Sequence, residues 1–425
     1  FRITDEHLGE GNRREKFSRN LAAITTLQTI ERERRPATKE EQEILSHFVG
    51  WGGLSEVFDK DNSSFSSEYS QLKSLLSEDE YSMARASTLN AHYTSPTVIK
   101  AIYDAVENMG FTTGNILEPA CGIGHFFGML PDSMENSNLY GVELDGLTGR
   151  IAKQLYPNAN ISITGFEKTE LPDSFFDLAI GNVPFGNYKI NEKRYDSNNF
   201  LIHDHFFAKA LDKVRPGGVV AFITSKGTMD KQNSDVRRYL AQRAELLGAI
   251  RLPNNVFKNA GTEVTSDIIF LQKRDRPFDV DRDWIHLDTN EDGITLNGYF
   301  TDNPEMILGT MEMKSGPFGM ESTCTPLPDA DLSEQLKSAV LNIEVSISEI
   351  DLPDIELSND VSIPADPTVK NFSYTLVDGE VYYRENSRMV KPNTNETAKE
   401  RIKGMIELRE CVDKLIYYQL EDYSE

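Results

Sequence analysis

The chain has 425 residues, with 44 Lys and Arg against 68 Asp and Glu, a net charge of −24 and 39% hydrophobic residues. That composition suits a soluble globular protein of two or three domains, and the acidic balance argues against wholesale electrostatic binding of nucleic acid. No apolar run is long enough to span a bilayer and no signal peptide stands at the start, so a membrane protein and a secreted one are both disfavoured. Cys121, Cys324 and Cys411 are widely separated and odd in number. They indicate neither a disulfide framework nor a zinc site, so an intracellular, cytoplasmic setting without a metal is expected. The chain opens on Phe1, which predicts a piece of a larger protein.

The charge is uneven. Lys213 to Arg276 carries 12 Lys and Arg against 6 Asp and Glu, whereas Pro326 to Val369 carries 10 acids and one base, Lys337. A basic face on an acidic protein and a solvated helix surface both fit the first stretch.

Residues 1–90 read as a polar, helical N-terminal extension. Asn20 to Leu27 has helical apolar spacing, and Thr38-Lys39-Glu40-Glu41 is a capping box opening a run to Val49. Gly50-Trp51-Gly52-Gly53-Leu54 breaks that helix around a large aromatic; a packing turn and a DNA contact by Trp51 both stand. Serine-rich Asn62 to Ser70 reads as a loop. His92-Tyr93-Thr94-Ser95-Pro96 leads into an amphipathic helix over Thr97 to Met109, with Pro96 placed to start it.

Asn115 to Glu118 is a short strand entering the turn Pro119-Ala120-Cys121-Gly122-Ile123-Gly124. This is the strand-loop-helix setting of a nucleotide loop, in which Gly122 and Gly124 let a ligand approach the backbone. Glu118 places a carboxylate where a pyrophosphate would be repelled and a cationic amino-acid ammonium would be held. The next strand-like unit, Leu139 to Asp145, carries Glu143 19 positions after Gly124, about where a Rossmann-type fold sets an acid on ribose hydroxyls. Leu144 is expected to pack on an adenine ring. A helix over Gly146 to Tyr156 and a third strand, Asn160 to Thr164, follow.

Phe176 to Ile180 predicts a fourth strand that delivers Gly181-Asn182-Val183-Pro184-Phe185-Gly186 to its carboxyl end. In an open α/β sheet that end is where ligands bind. The Asn182 side-chain oxygen and the Val183 carbonyl can each accept one hydrogen of an exocyclic NH2 group. Pro184 stiffens the turn, and Phe185 offers a face on which a base can stack. The loop from Asn187 to Tyr195 interleaves Tyr188, Lys189, Lys193, Arg194 and Tyr195, a pattern suited to stacking and phosphate contacts and equally to a solvated loop. The pair His203 and His205 reads as helix surface rather than metal ligands. A helix over His203 to Val214, a strand over Val219 to Thr224, a helix over Ser234 to Ala244 and strands over Leu246 to Leu252 and Val264 to Gln272 complete the unit.

Asn182-Val183-Pro184-Phe185 resembles the Asn-Pro-Pro-Tyr/Phe motif of DNA adenine-N6 methyltransferases, with valine in place of the first proline. Glu118, the glycine loop and Glu143 together resemble the S-adenosylmethionine site of class I methyltransferases. Gly217 to Thr228, Leu247 to Pro253, Ala260 to Val264 and Asp267 to Leu271 resemble later motifs of modification methyltransferases. They are most like those of the large methyltransferase-helicase fusion proteins of phages and conjugative elements. The resemblance is dense from Ala91 to Lys273 and implies the gamma order of motifs, with Tyr93 and Thr94 closing over the methionine end of the cofactor. It also implies contacts from Pro119 and Ala120, and adenine contacts at Gly165-Phe166-Glu167, where a plain surface loop is the other reading.

The expectation is an α/β, Rossmann-like class I methyltransferase with a seven-stranded, mostly parallel sheet. The core spans residues 91–275, behind the helical extension and ahead of a mixed accessory region, 276–425. The reaction implied is methyl transfer from S-adenosylmethionine to N6 of adenine in DNA, flipped out or single-stranded, with a helicase region covalently linked. Methylation of an RNA base or a glutamine amide, and a non-catalytic cofactor- or DNA-binding module, are the rival readings. In the last region, Asn303 to Gly309 and Ser333 to Ile343 read as helical, Asp351 to Pro367 as an acidic linker, Tyr374 to Tyr383 as a hairpin turning at Asp378-Gly379, and Arg401 to Leu420 as a final helix.

Overall fold

The computed structural model describes residues 1–5, 7–88, 93–316, 319–343, 362–366, 373–385, 388–392 and 396–420, with the single positions 345, 347, 369 and 394. Most of the acidic linker expected over Asp351 to Pro367 lies outside the described residues; within it Ile363–Pro364 is a short strand paired with Arg388 and Met389.

Among the described residues, one sheet contains seven strands: β1 (Asn115–Glu118), β2 (Asn138–Glu143), β3 (Asn160–Ile163), β4 (Phe176–Asn182), β5 (Val214–Ser225), β6 (Ala244–Leu252) and β7 (Ser266–Lys273). Their order is β3-β2-β1-β4-β5-β7-β6. Every neighbouring pair is parallel except those of β7, which runs antiparallel to both β5 and β6. The central strands read as continuous apolar runs, Val219 to Ile223 and Ile268 to Leu271, because helices cover both faces and leave no solvated side. This is the seven-stranded Rossmann-like sheet that the sequence predicts.

Helices α1 (Arg13–Glu33), α2 (Lys39–Ser46), α3 (Ser66–Leu75) and α4 (Glu78–Ser87) precede the sheet. Asn12, Thr38 and Ser77 each begin a helix with a complete capping box, which satisfies otherwise orphaned backbone donors. The serine-rich stretch expected to be a loop is instead a 3-10 turn, Ser63–Phe65, running into α3. Tertiary packing decides this, since Leu72 on that helix is fully buried. Trp51 is buried edge-on against Phe48 and Phe58, so its ring belongs to the core of the helical region. That core also takes in Cys121, Ile123, Phe127 and Tyr156, so the helices lean directly on the glycine loop.

The remaining helices are α5 (Pro96–Asn108), α6 (His125–Gly128), α7 (Gly146–Leu155), α8 (Ile202–Lys213), α9 (Gly227–Asp230), α10 (Asp235–Arg243), α11 (Gly298–Asp302), α12 (Leu332–Leu341) and α13 (Glu396–Leu420). Packing crosses the expected boundary at residue 275. Trp284, Ile285, Phe300, Met306, Leu336 and Val340 share one hydrophobic cluster with the sheet. Arg251, with no exposed surface, lies at this junction: on the sheet side it pairs with Asp267 at 2.8 Å and Asp230 at 2.8 Å, and its guanidinium crosses the boundary to lie over the Phe300 ring. Asn303 to Gly309 forms only a 3-10 turn, Pro304–Met306, before a hairpin of two strands, Gly309–Gly316 and Gly319–Pro326. The Asp378-Gly379 hairpin is present, with both turn residues at positive φ as its type requires.

Candidate active site

The strand order reverses between β1 and β4, and the two pair in register through Ile116 with Leu178 and Leu117 with Ala179. Their carboxyl ends therefore emerge side by side at the switch point, where crevices of open α/β sheets form. Glu118 ends β1 and Asn182 ends β4. Gly181 between them is needed for clearance, since a Cβ there would stand 3.3 Å from Glu118 Cγ. Glu118 is 2% exposed, and its Oε2 has no hydrogen-bond partner among the described residues. Burial, and then the charge of Glu143, push its carboxyl well above the usual range.

The glycine loop is bent tightly, with the Cys121 amide donating to Val142 O at 2.9 Å and the Gly124 amide to Cys121 O at 2.7 Å. Gly122 has φ 57, and a Cβ on it would approach the Tyr93 ring at 3.4 Å. The Glu143 carboxylate is pinned across this loop: Oε2 accepts from the Gly122 amide and Oε1 from the Asp145 amide, each at 2.8 Å. Burial raises its pKa to about 7, against the lowering effect of those amides. Asp145 in turn caps α7 by accepting from the Thr148 amide at 2.7 Å.

These groups face one cavity of about 480 Å³. Tyr93, Thr94, Glu118, Pro119, Ala120, Gly122, Glu143 and Leu144 line it, as do Gly165, Phe166, Glu167, Asn182, Val183, Pro184, Phe185 and Tyr188. Leu144 is 65% exposed at its edge, an apolar side chain left for something flat to cover. Phe166 is buried against Phe206, with ring centroids 4.9 Å apart, and Lys209 Nζ lies 5.0 Å from its centroid. Glu167 folds back over Gly165, whose missing Cβ makes room for the carboxylate.

Several expected residues stand elsewhere. Gly124 is outside the cavity; its φ of 86 and bare Cα serve close contact with Tyr156. Tyr195 is buried and donates to Asp212 Oδ2 at 2.6 Å, and Arg194 pairs with Asp173 and Asp212 at 2.8 and 2.9 Å. Tyr195 is therefore held inside the fold, whereas Arg194 stays exposed beside its two carboxylates. Lys189 bonds Asn199, and Lys193 is exposed on the loop. His203 and His205 are buried rather than surface residues. His205 contacts Glu192 at 2.7 Å, and Glu192 also binds Lys209 at 3.0 Å, so a carboxylate on the loop compensates both buried bases. Of the 12 bases from Lys213 to Arg276, only Lys213, Arg237 and Arg251 are buried, and Lys231, Lys258 and Arg276 are exposed.

Sequence reasoning missed the other walls. Gly50, Trp51, Met83, Ala86 and Ser87 close the cavity from the helical region, and His125, Thr148, Ile190 and Phe206 line it from the sheet side. Only His125 carried a local signal, by following Gly124 directly. Among the described residues, no cluster of three or more His, Cys, Asp or Glu could hold a metal ion, and no helix is long and apolar enough to cross a membrane.

A family model described as N-6 DNA Methylase matches residues 74–294. The chain is 30% identical over 192 residues to Defense against restriction protein B of Escherichia phage P1, covering 44% of this chain and 8% of that protein. It is 24% identical over 221 residues to the type I restriction enzyme MjaIX methylase subunit of Methanocaldococcus jannaschii, covering 43% and 38%. The chain thus spans well under half the length of these curated relatives. Among solved structures, a type I restriction-modification methyltransferase subunit from Streptococcus thermophilus aligns at TM-score 0.38 and 14% identity, over 60% of this chain and 66% of that one.

Proposed function

The chain belongs to the N-6 DNA methylase family, and from that membership we propose that it transfers a methyl group from S-adenosylmethionine to N6 of adenine in DNA. The observation that carries the reading is the meeting of three sequence-distant elements, Glu118, Glu143 and Asn182 to Phe185, in one cavity at the switch point of the sheet.

The cavity fits the cofactor by its chemistry. Glu118 has a buried carboxylate oxygen with no partner among the described residues, which suits the methionyl ammonium. Glu143, oriented by two backbone amides, has lone pairs left for ribose hydroxyls. Leu144 and Phe166 supply apolar surface for the adenine, and Glu167 an acceptor for its amine. When bound, S-adenosylmethionine supplies an electrophilic sulfonium methyl.

The chain's own residues prepare the acceptor. The N6 lone pair of adenine is delocalised into the purine ring and is a poor nucleophile. Asn182 Oδ1 and the Val183 carbonyl accept its two hydrogens and turn the lone pair out of the ring plane, where it can react without a strong base. Pro184 holds the turn rigid. Phe185, partly exposed beside Tyr188, stacks on the base, which enters flipped out of a duplex or from a single strand. The likeness to the phage and restriction-enzyme proteins supports a setting in restriction and modification. A linked helicase region, a mobile-element origin and a cytoplasmic location complete the proposal for the intact protein.

The test is incubation with deuterium-labelled S-adenosylmethionine and unmethylated DNA, followed by mass analysis of the nucleosides. Labelled N6-methyladenine is the expected product; label in cytosine, in RNA alone or in a glutamine amide overturns the reading.

A further inference from the structure

His125 opens α6 one residue beyond the glycine loop, lines the cavity and is 6% exposed. Neither ring nitrogen has a hydrogen-bond partner among the described residues. Its one close aromatic neighbour is Tyr93, with centroids 4.9 Å apart at 52°, and the same Tyr93 ring covers Gly122. Burying an imidazole with both nitrogens unsatisfied is costly, and structural histidines ordinarily find at least one partner. A ligand entering the cavity can supply the partner that the described residues do not.

The charges lining the cavity indicate what it is. The other ionisable groups there are the four carboxylates Glu118, Glu143, Asp145 and Glu167, the Cys121 thiol, and the phenols of Tyr93 and Tyr188. Among the described residues no Lys or Arg lines it, and His125 is the one described lining residue able to become positive. The cofactor, however, carries a carboxylate on its methionine end, beside the ammonium assigned to Glu118. An anion entering a cavity of four acids needs a donor of opposite charge.

We propose that His125 binds the methionyl carboxylate of S-adenosylmethionine, taking up a proton as the cofactor enters. This rests on the cofactor reading above. Glu118 and His125 then form a matched pair for the zwitterionic end of the ligand, with Tyr93 packed over the histidine as its cover. Burial holds the empty imidazole neutral, at a pKa of about 4; an adjacent carboxylate opposes that burial and raises it.

The experiment compares two ligands by titration calorimetry: S-adenosylmethionine, and 5′-methylthioadenosine, which keeps the adenosine and lacks the amino-acid end. His125→Asn is expected to weaken S-adenosylmethionine by about 10- to 100-fold, the range of a charged hydrogen bond, and to leave methylthioadenosine within about twofold. Retained methylthioadenosine binding also shows that the variant is folded. Equal loss for both ligands overturns the proposal, as does no loss for either. A second readout needs no variant: the ring-carbon NMR signals of His125 should report a protonated imidazole at pH 7.5 with S-adenosylmethionine and a neutral one with methylthioadenosine. A neutral ring with both overturns it. Failure of the wild type to bind either ligand refutes the cofactor reading itself, and the proposal falls with it.

Discussion

Replacing Glu143 with Gln isolates the energetic strain held in the empty cavity. In the folded chain Glu143 ionises at about 7 because burial disfavours its charge, whereas a solvated glutamate ionises near 4.3. Between those two values the folded state binds more protons than the unfolded state, so stability falls as pH rises and levels off above pH 7. The full shift corresponds to about 3–4 kcal/mol; Glu143 keeps partial contact with solvent, which trims the expectation to about 2 kcal/mol. Gln cannot ionise, but it turns an amide NH2 toward one of the two backbone N–H groups, from Gly122 or Asp145, that the carboxylate accepts. That is a pH-independent offset of about 1–3 kcal/mol. Urea unfolding of both proteins from pH 5 to pH 8 separates the two contributions. The wild type should lose about 2 kcal/mol relative to the variant across that range. Parallel stability profiles would show that Glu143 is ordinarily solvated and would refute the burial argument.

Phe185→Ala should lower kcat/KM for DNA by about 10- to 100-fold through lost stacking and leave cofactor affinity unchanged; steady-state kinetics with calorimetry would expose an equal loss of both, which sinks the assignment. Arg251→Ala strands Asp267 and Asp230 in the core and should cost about 3–5 kcal/mol in urea unfolding; a cost below about 1 kcal/mol would mean the two carboxylates do not depend on Arg251 for their burial. Tyr195→Phe loses the bond to Asp212, so a stability loss of about 1–3 kcal/mol is expected with unchanged DNA affinity in fluorescence anisotropy. A weakened complex would return Tyr195 to the DNA-facing surface.

What was legible in the sequence follows from what each part of the fold demands locally. The central strands announce themselves because burial on both faces requires unbroken apolar runs such as Val219 to Ile223. The cavity positions of Glu118, Glu143 and Asn182 were legible because each sits at a strand end, and that of Gly122 because a glycine turn follows β1. Partnerships made over long sequence distances left no such trace. Arg251 pairs with Asp230 and Asp267, and His205 and Lys209 both contact Glu192; spacing alone shows none of these contacts. The walls from Met83 to Ser87 were equally silent, since α4 reaches the cavity through the packing of the whole helical region rather than through any motif. His125 was visible in the loop, but only the burial of both its nitrogens distinguishes it from an ordinary helix residue.

The most direct test of a single cavity joining cofactor and base is to separate binding from transfer with Asn182→Ala. Wild-type protein and variant should bind S-adenosylmethionine with equal affinity, because Glu118, Glu143 and the glycine loop are untouched. Labelled N6-methyladenine should form in DNA with the wild type, and with the variant it should fall by about 100-fold or more, the scale set by losing one oriented polar group at a reacting centre. Undiminished transfer by the variant, or a product other than N6-methyladenine from the wild type, would contradict the account.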